Sequence, residues 1–359
     1  MLFDKVTPCT TTLEREAWQI WDAKAKPQLS LGRLEEVAVR LVAIRGELRP
    51  TLGEPALLLF AADHGIVAEG VSSSPQEITW QQCLNFAHGG GAIGLICREN
   101  GIELRVIDVG VNYDFDPSLK ITDKKIGYGT ANFARHKAMD REQLESALGA
   151  GKEEVLSLAK EGIKVVAFGE MGVGNTTSAS ALMASLTSVP IAECTGRGAG
   201  LSNEGLLHKQ QVLNRALALH GKISDPLEAL ATYGGFEIAA IVGGMMAAAH
   251  HRMVILVDGF ITTVAALIAT TIEPAVRDYL IFCHQSKESG HANLLKLLKA
   301  QPLLDLSMHL GEGSGAAVAW PIIRQALNLY LDMTPFSDAK VTDSVALLKK
   351  QGVDRHAER

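Results

Sequence analysis

The sequence predicts an α/β fold, a parallel Rossmann-like sheet flanked by helices, and three observations carry that expectation. Five short apolar runs end in acidic or glycine-rich turns: PALLLFAA at 55–62, IELRVID at 102–108, IKVVAF at 163–168, MVILV at 253–257 and YLIFC at 279–283. Near-continuous apolar runs of this length suit strands covered on both faces. Stretches with helical apolar spacing alternate with them, the pattern of βα units around a parallel sheet. The composition is 47% hydrophobic but only 5% aromatic, with 34 glycines in 359 residues, so the core must be Ala, Leu, Val and Ile at close approach.

In chain order, residues 12–47 read as two helices, the second capped at Ser30 by its hydroxyl. The 55–62 run ends in Asp63-His64-Gly65, at the strand end where open α/β sheets bind ligands. Residues 77–88 read as a helix, and residues 112–137 as a polar excursion over the surface. Helical patterns follow at 140–161, after Gly169–Thr177, at 203–220 and after Tyr233-Gly234-Gly235. The last helix is expected to open within AAVAWPII, with Pro321 in its first turn. No Pro/Ser linker divides the chain, so a large α/β domain is expected over 50–320. A smaller helical domain is expected from 1–49 with 321–359.

The net charge of −6 without a long basic run argues against nucleic acid as a partner. Five scattered cysteines form no CxxC pair and read as reduced thiols of a cytoplasmic protein. MLFDKVTPCTTTLERE has no apolar core and does not read as a signal peptide. The apolar stretch 253–271 carries Asp258 and Gly259 and reads as a buried strand and helix, so no membrane partner is expected.

Four stretches carry chemistry. In HLGEGSGAAVAWPII, Glu312 stands between glycines on a tight turn before a helix. A carboxylate in such apolar company is placed to act as a general base, although an acid there also simply complements a helix dipole. GEMGVGNT at 169–176 matches a phosphate-binding loop except that Asn175 replaces the lysine. Its amides, with Asn175 and Thr176, can still hold one phosphate or ribose. Lys209 follows the Gly196–Gly200 turn and is raised as an anion ligand. VILVDGF has one acid, Asp258, where diphosphate-sugar enzymes have two, which disfavours that metal-dependent chemistry. GGGAIG at 89–94 follows a helical stretch and reads as helix packing rather than a dinucleotide fingerprint. His64 and His284 stand at strand ends; for each a structural role is the plainer reading. His250-His251 likewise read as structural or surface residues, and no metal site is expected.

Together these pieces resemble the nicotinate-nucleotide:dimethylbenzimidazole phosphoribosyltransferase family. SLGRLE at 30–35, ADHG at 62–65, EGVSSSPQEIT at 69–79, VIDVGV at 106–111 and GEMGVGNTT at 169–177 fit it in order and spacing. So do TGRGAGL at 195–201, HK at 208–209, YGGFE at 233–237, VDGF at 257–260 and LGEGSGAA at 310–317. The ordered set covers almost the whole chain and is far more specific than any one motif.

The resemblance implies transfer of the phosphoribosyl group of nicotinate mononucleotide to an aromatic lower base of cobamides, with no cofactor. It implies Glu312 as the proton acceptor, Glu170 and Lys209 as substrate contacts, and Gly198, Gly259 and Ser286 around the phosphate. Ser74 and Gln82 would edge the base pocket. Leu29, Trp80, Trp320 and Cys283 depart from the family's pattern, and Trp320 is expected against the base. A homodimer is implied. The alternatives are a subunit of a heterodimer with a related chain that activates phenols, and a magnesium-dependent enzyme using a diphosphate sugar.

Overall fold

The computed structural model describes residues 4–187 and 189–352. Residues 1–3, 188 and 353–359, part of which the domain expectation includes, lie outside the described residues. The chain divides into two compact units, one from Met1–Thr7 with Leu52–Val318, the other from Pro8–Thr51 with Ala319–Arg359.

The first unit is built on six strands: β1 (Ala56–Ala62), β2 (Glu103–Gly110), β3 (Ile121–Asp123), β4 (Val165–Met171), β5 (Val254–Val257) and β6 (Leu280–Phe282). They form one sheet in the order β3-β2-β1-β4-β5-β6, and every pairing is parallel. The sheet is therefore the α/β arrangement expected. Every residue of β1 is buried, as its unbroken apolar run requires. From β1 the chain builds outward to β2 and β3, then returns to pair β4 against β1. The strand order thus reverses between β1 and β4, and a crevice opens at the carboxyl ends there.

Strand β3 was not expected. It is three residues long, none of them buried, and lies at the sheet edge beside β2. Nor does 112–137 simply skirt the surface: Phe133 is fully buried, and the Thr130–Asn132 backbone lies where a Cβ on Gly65 would fall.

The helices Arg141–Lys160 and Phe236–His250 pack closely together. Asp140 and Gln143 cap the first with a reciprocal capping box. The two backbones approach so closely that a Cβ on Gly151 would fall 1.7 Å from the Ala240 carbonyl oxygen. A Cβ on Gly243 would fall 2.0 Å from that of Leu148. The Gly89–Gly94 stretch is also packing: a Cβ on Gly94, in the helix Gly91–Asn100, would strike the Gly89 backbone.

The second unit contains the helices Thr11–Ala23 and Arg33–Arg45. The latter begins after Gly32, not at Ser30; the Glu35 carboxylate instead accepts from the Leu31 amide. Trp21 meets Tyr330 edge to face at 5.5 Å, and buried Lys26 pairs with buried Glu35 at 2.8 Å.

Candidate active site

A cavity of about 380 Å³ opens in the first unit at the carboxyl ends of β4, β5 and β6. Glu312, Glu170, Lys209, Gly198, Gly259, Ser286, Asn175, Thr176, Ser74 and Gln82 all line it.

One end is acidic. Gly311, Glu312 and Gly313 are consecutive residues in the left-handed region, with φ of 84°, 64° and 83°. Glycine adopts that conformation freely; a glutamate held there signals a turn fixed by its surroundings. Those surroundings are identifiable. The Glu312 amide donates to Glu170 Oε1 at 3.3 Å, and the Glu312 carbonyl lies against Gly169 of β4. Two residues on, Asp258 at the end of β5 accepts from the amides of Gly315 and Ala316.

Asp258 thereby caps the helix Ser314–Asp332, which two short helices, Phe336–Ala339 and Ser344–Lys350, follow. The helix starts earlier than Ala316, and Pro321 lies inside it rather than in its first turn. That shift matters for Trp320, which stands well inside the helix, is 1% exposed, and is not among the residues lining the cavity. The expectation that it touches a base is corrected accordingly. Trp80 also stands off the cavity lining and stacks on Tyr113 at 4.6 Å.

Burial pushes the Glu312 carboxyl up to about 7, and the negative Asp258 nearby adds to the shift. Burial likewise pushes Asp258 up to about 7, against the amide hydrogen bonds that favour its charged form. Glu170 is fully buried and raised well above the usual carboxylate range by burial, then by the charges of Asp258, Glu237 and Glu312. Asn175 Nδ2 donates to Glu170 Oε2, tying the end of β4 to the helix Asn175–Leu186.

The other end is cationic. Lys209 is 1% exposed, although it sits in a helix, Asn203–His220, where a lysine would ordinarily be solvated. Its Nζ donates to Thr176 Oγ1 at 2.9 Å and reaches the Gly196 carbonyl at 3.5 Å. A Cβ on Gly198 would fall 3.7 Å from Nζ, so the turn 196–200 closes over the ammonium. Burial lowers Lys209 to about 8, with Glu288 opposing the shift. Of the other two residues expected around a phosphate, the Gly259 amide already donates to Thr262 Oγ1, and the Ser286 amide to His291 Nδ1. The Ser286 hydroxyl accepts from the Glu288 amide, which leaves its own proton to donate.

Toward the third wall, Ser74 and Gln82 sit near Val71 and Ile78. His284 lines the cavity too, with Nε2 accepting from the Leu306 amide at 3.1 Å. His64 does not line it; it is buried between Glu237 and Ser178.

Sequence reasoning missed Asp258 as a wall residue because its helix-capping partners lie 57 and 58 residues away. It also missed Arg197 and Glu288, which line the cationic end. Their only signal in the sequence was their closeness to Gly198 and Ser286.

A phosphoribosyltransferase family model matches residues 6–341. The chain is 46% identical over 342 residues to the nicotinate-nucleotide–dimethylbenzimidazole phosphoribosyltransferase of Cupriavidus necator, across 95% of this chain and 99% of that one. It is 47% identical over 324 residues to the enzyme of that name from Aromatoleum aromaticum, across 90% and 94%. The crystal structure of CobT from Thermus thermophilus superposes with a TM-score of 0.88 at 42% identity, covering 92% of this chain and 99% of that one. A second structure from that organism, titled with the full enzyme name, gives 0.87 at 41%. Matched over more than nine-tenths of its length in sequence and in fold, the chain belongs to the nicotinate-nucleotide–dimethylbenzimidazole phosphoribosyltransferase family.

Proposed function

We propose that this enzyme transfers the 5-phosphoribosyl group of nicotinate mononucleotide to a nitrogen of 5,6-dimethylbenzimidazole or a related base. The observation that carries the reading is a single cavity with a buried, high-pKa glutamate at one end and a buried lysine at the other.

In the proposed step, one azole nitrogen forms a bond to ribose C1′ as the bond from C1′ to the pyridinium nitrogen breaks. The bonding pair leaves with the pyridine, and nicotinate departs. The other azole nitrogen loses its proton to Glu312. A carboxylate with a pKa near 7 is still ionised in a useful fraction at neutral pH, yet basic enough to accept that proton. Glu170, through its bonds to the Glu312 amide and to Asn175, keeps the turn and the nucleotide wall in register. Lys209, Thr176 and Gly198 hold the phosphate, with the Ser286 hydroxyl and Gly259 beside it. An ammonium buried to this degree binds an anion strongly because water does not screen it. Ser74 and Gln82 offer polar contacts to the edge of the base.

The assembly proposed is a homodimer, and the site of action the cytoplasm. Among the described residues no helix is long and apolar enough to cross a membrane. Sedimentation giving a monomer at working concentration would remove the dimer. The test of function is incubation of the purified chain with nicotinate mononucleotide and dimethylbenzimidazole, with products read by mass. The ribotide phosphate and nicotinate are expected in equal amounts; no ribotide, or activity only with the diphosphate sugar, would overturn the assignment.

A further inference from the structure

The turn that carries Asn175 and Thr176 has two sides. Gly172, Gly174, Asn175 and Thr176 face the cavity. On the far side lies His64, at the end of β1 and outside the cavity lining. A Cβ on Gly172 would fall 3.2 Å from His64 Nε2, and one on Gly174 would fall 3.3 Å from His64 Cβ. The imidazole therefore packs directly on the backbone at Gly172, while a Cβ on Gly174 would meet the Val67 side chain at 2.7 Å as well as His64 Cβ.

The ring is held at both nitrogens. Nε2 bonds Glu237 Oε1 at 2.8 Å and Nδ1 bonds Ser178 Oγ at 3.0 Å. Ser178 stands one turn into the same helix as Asn175 and Thr176. Glu237 comes from the first turn of Phe236–His250. A Cβ on Gly235 would fall 2.3 Å from His64 Cε1, so the ring edge is covered there as well. All three side chains are buried, and Glu237 Oε2 has no hydrogen-bond partner among the described residues.

Burying three polar groups, one of them a half-satisfied carboxylate, is unfavourable compared with an apolar core of the same shape. What such a network provides is one fixed geometry. Its geometry ends on the turn beneath the nucleotide wall. We propose that His64, locked by Glu237 and Ser178, is a positioning residue that sets the Gly172–Gly174 turn and so the placement of Asn175 and Thr176. This rests on the reading that Asn175 and Thr176 contact the nucleotide.

The experiment compares Michaelis constants for nicotinate mononucleotide and for dimethylbenzimidazole, kcat, and melting temperature. The variants are His64→Gln, Ser178→Ala, Thr176→Ala and the double variant His64→Gln/Thr176→Ala. His64→Gln should raise the nucleotide KM by roughly tenfold and Ser178→Ala by about threefold, with the base KM within about twofold of the parent. In the double variant the two effects should combine to less than their product, because both act through one turn. Ser178→Ala carries the test if His64→Gln does not fold. A normal nucleotide KM for Thr176→Ala would remove the underlying reading of the wall. A raised KM for Thr176→Ala, with His64→Gln and Ser178→Ala lowering only the melting temperature, would make His64 a core residue and overturn the proposal.

Discussion

The two ends of the cavity reach their chemistry by opposite means. The acidic end is made by backbone: three left-handed residues in a row, clamped by Glu170 below and by Asp258 at the following helix. The cationic end is made by a side chain: one lysine drawn inward under a glycine turn and bonded to Thr176. Burial acts on both, and because it always disfavours charge, it pushes Glu312 up to about 7 and Lys209 down to about 8. Two groups of opposite charge type are thereby brought to almost the same pKa from opposite directions. In the roles proposed for them, Glu312 as a base needs that poise, whereas Lys209 as a phosphate ligand only tolerates it.

If this contrast is right, the largest effect follows from Glu312→Gln. It keeps the shape of the turn and removes the proton acceptor. We expect kcat to fall by about 10²–10⁴ with nucleotide affinity within a few fold of the parent. Turnover near that of the parent would break the acid end of the comparison. Lys209→Ala should do the converse, weakening nucleotide binding by about ten- to a hundredfold, the loss expected for one charge-assisted contact in a water-poor site. Unchanged nucleotide affinity by calorimetry would break the other end.

The pH profile sharpens both. In the proposed mechanism, activity needs Glu312 without its proton and Lys209 with one. The kcat/KM of the free enzyme should therefore rise through about 7, fall through about 8 and peak narrowly between. Lys209→Arg keeps its charge at any working pH, so the falling limb should disappear while the rising limb stays. A falling limb that persists in Lys209→Arg would assign it elsewhere. Stability follows the same shifts. Glu312, Asp258 and Glu170 bind protons more tightly folded than unfolded, so stability contributed at acid pH is lost as pH rises toward about 7. Lys209 binds its proton less tightly folded, so above about 8 its contribution runs the other way. The ligand-free melting temperature should fall between pH 5 and 7, and less so in Glu312→Gln.

The cationic end was the more legible of the two. Gly198 lies on a glycine turn, and Thr176 and Lys209 each stand in a helix that follows one; a local pattern of that kind needs no distant partner to be recognised. The acid end was half legible. Glycines on both sides of Glu312 announce a tight turn, but what holds it comes from β4 and β5, far off in sequence. The same gap misplaced the start of the helix Ser314–Asp332: glycine is a poor helix former, so Ser314-Gly315 read as loop, whereas Asp258 caps a helix there. Strand β3 escaped for a simpler reason. Three exposed or half-exposed residues give no apolar run to read.

The smallest effect expected is at Trp320, and it tests how much that misplaced start matters. A helix opening near Ala317 would aim the indole back at the Glu312 turn. With the start at Ser314, the residue is nearly two turns in, buried to 1% and off the cavity wall. Its indole Nε1 has no hydrogen-bond partner among the described residues. An indole stacked on substrate at a wet site would ordinarily find one. Trp320→Phe removes an unpaired buried donor along with some volume, two changes that oppose each other. We therefore expect the melting temperature to move by only a few degrees. In a mixture of competing benzimidazoles and purines, the ratio of ribotide products should match that of the parent. A changed ratio from a folded, active Trp320→Phe would return the residue to the base pocket, and with it the helix start read from the sequence.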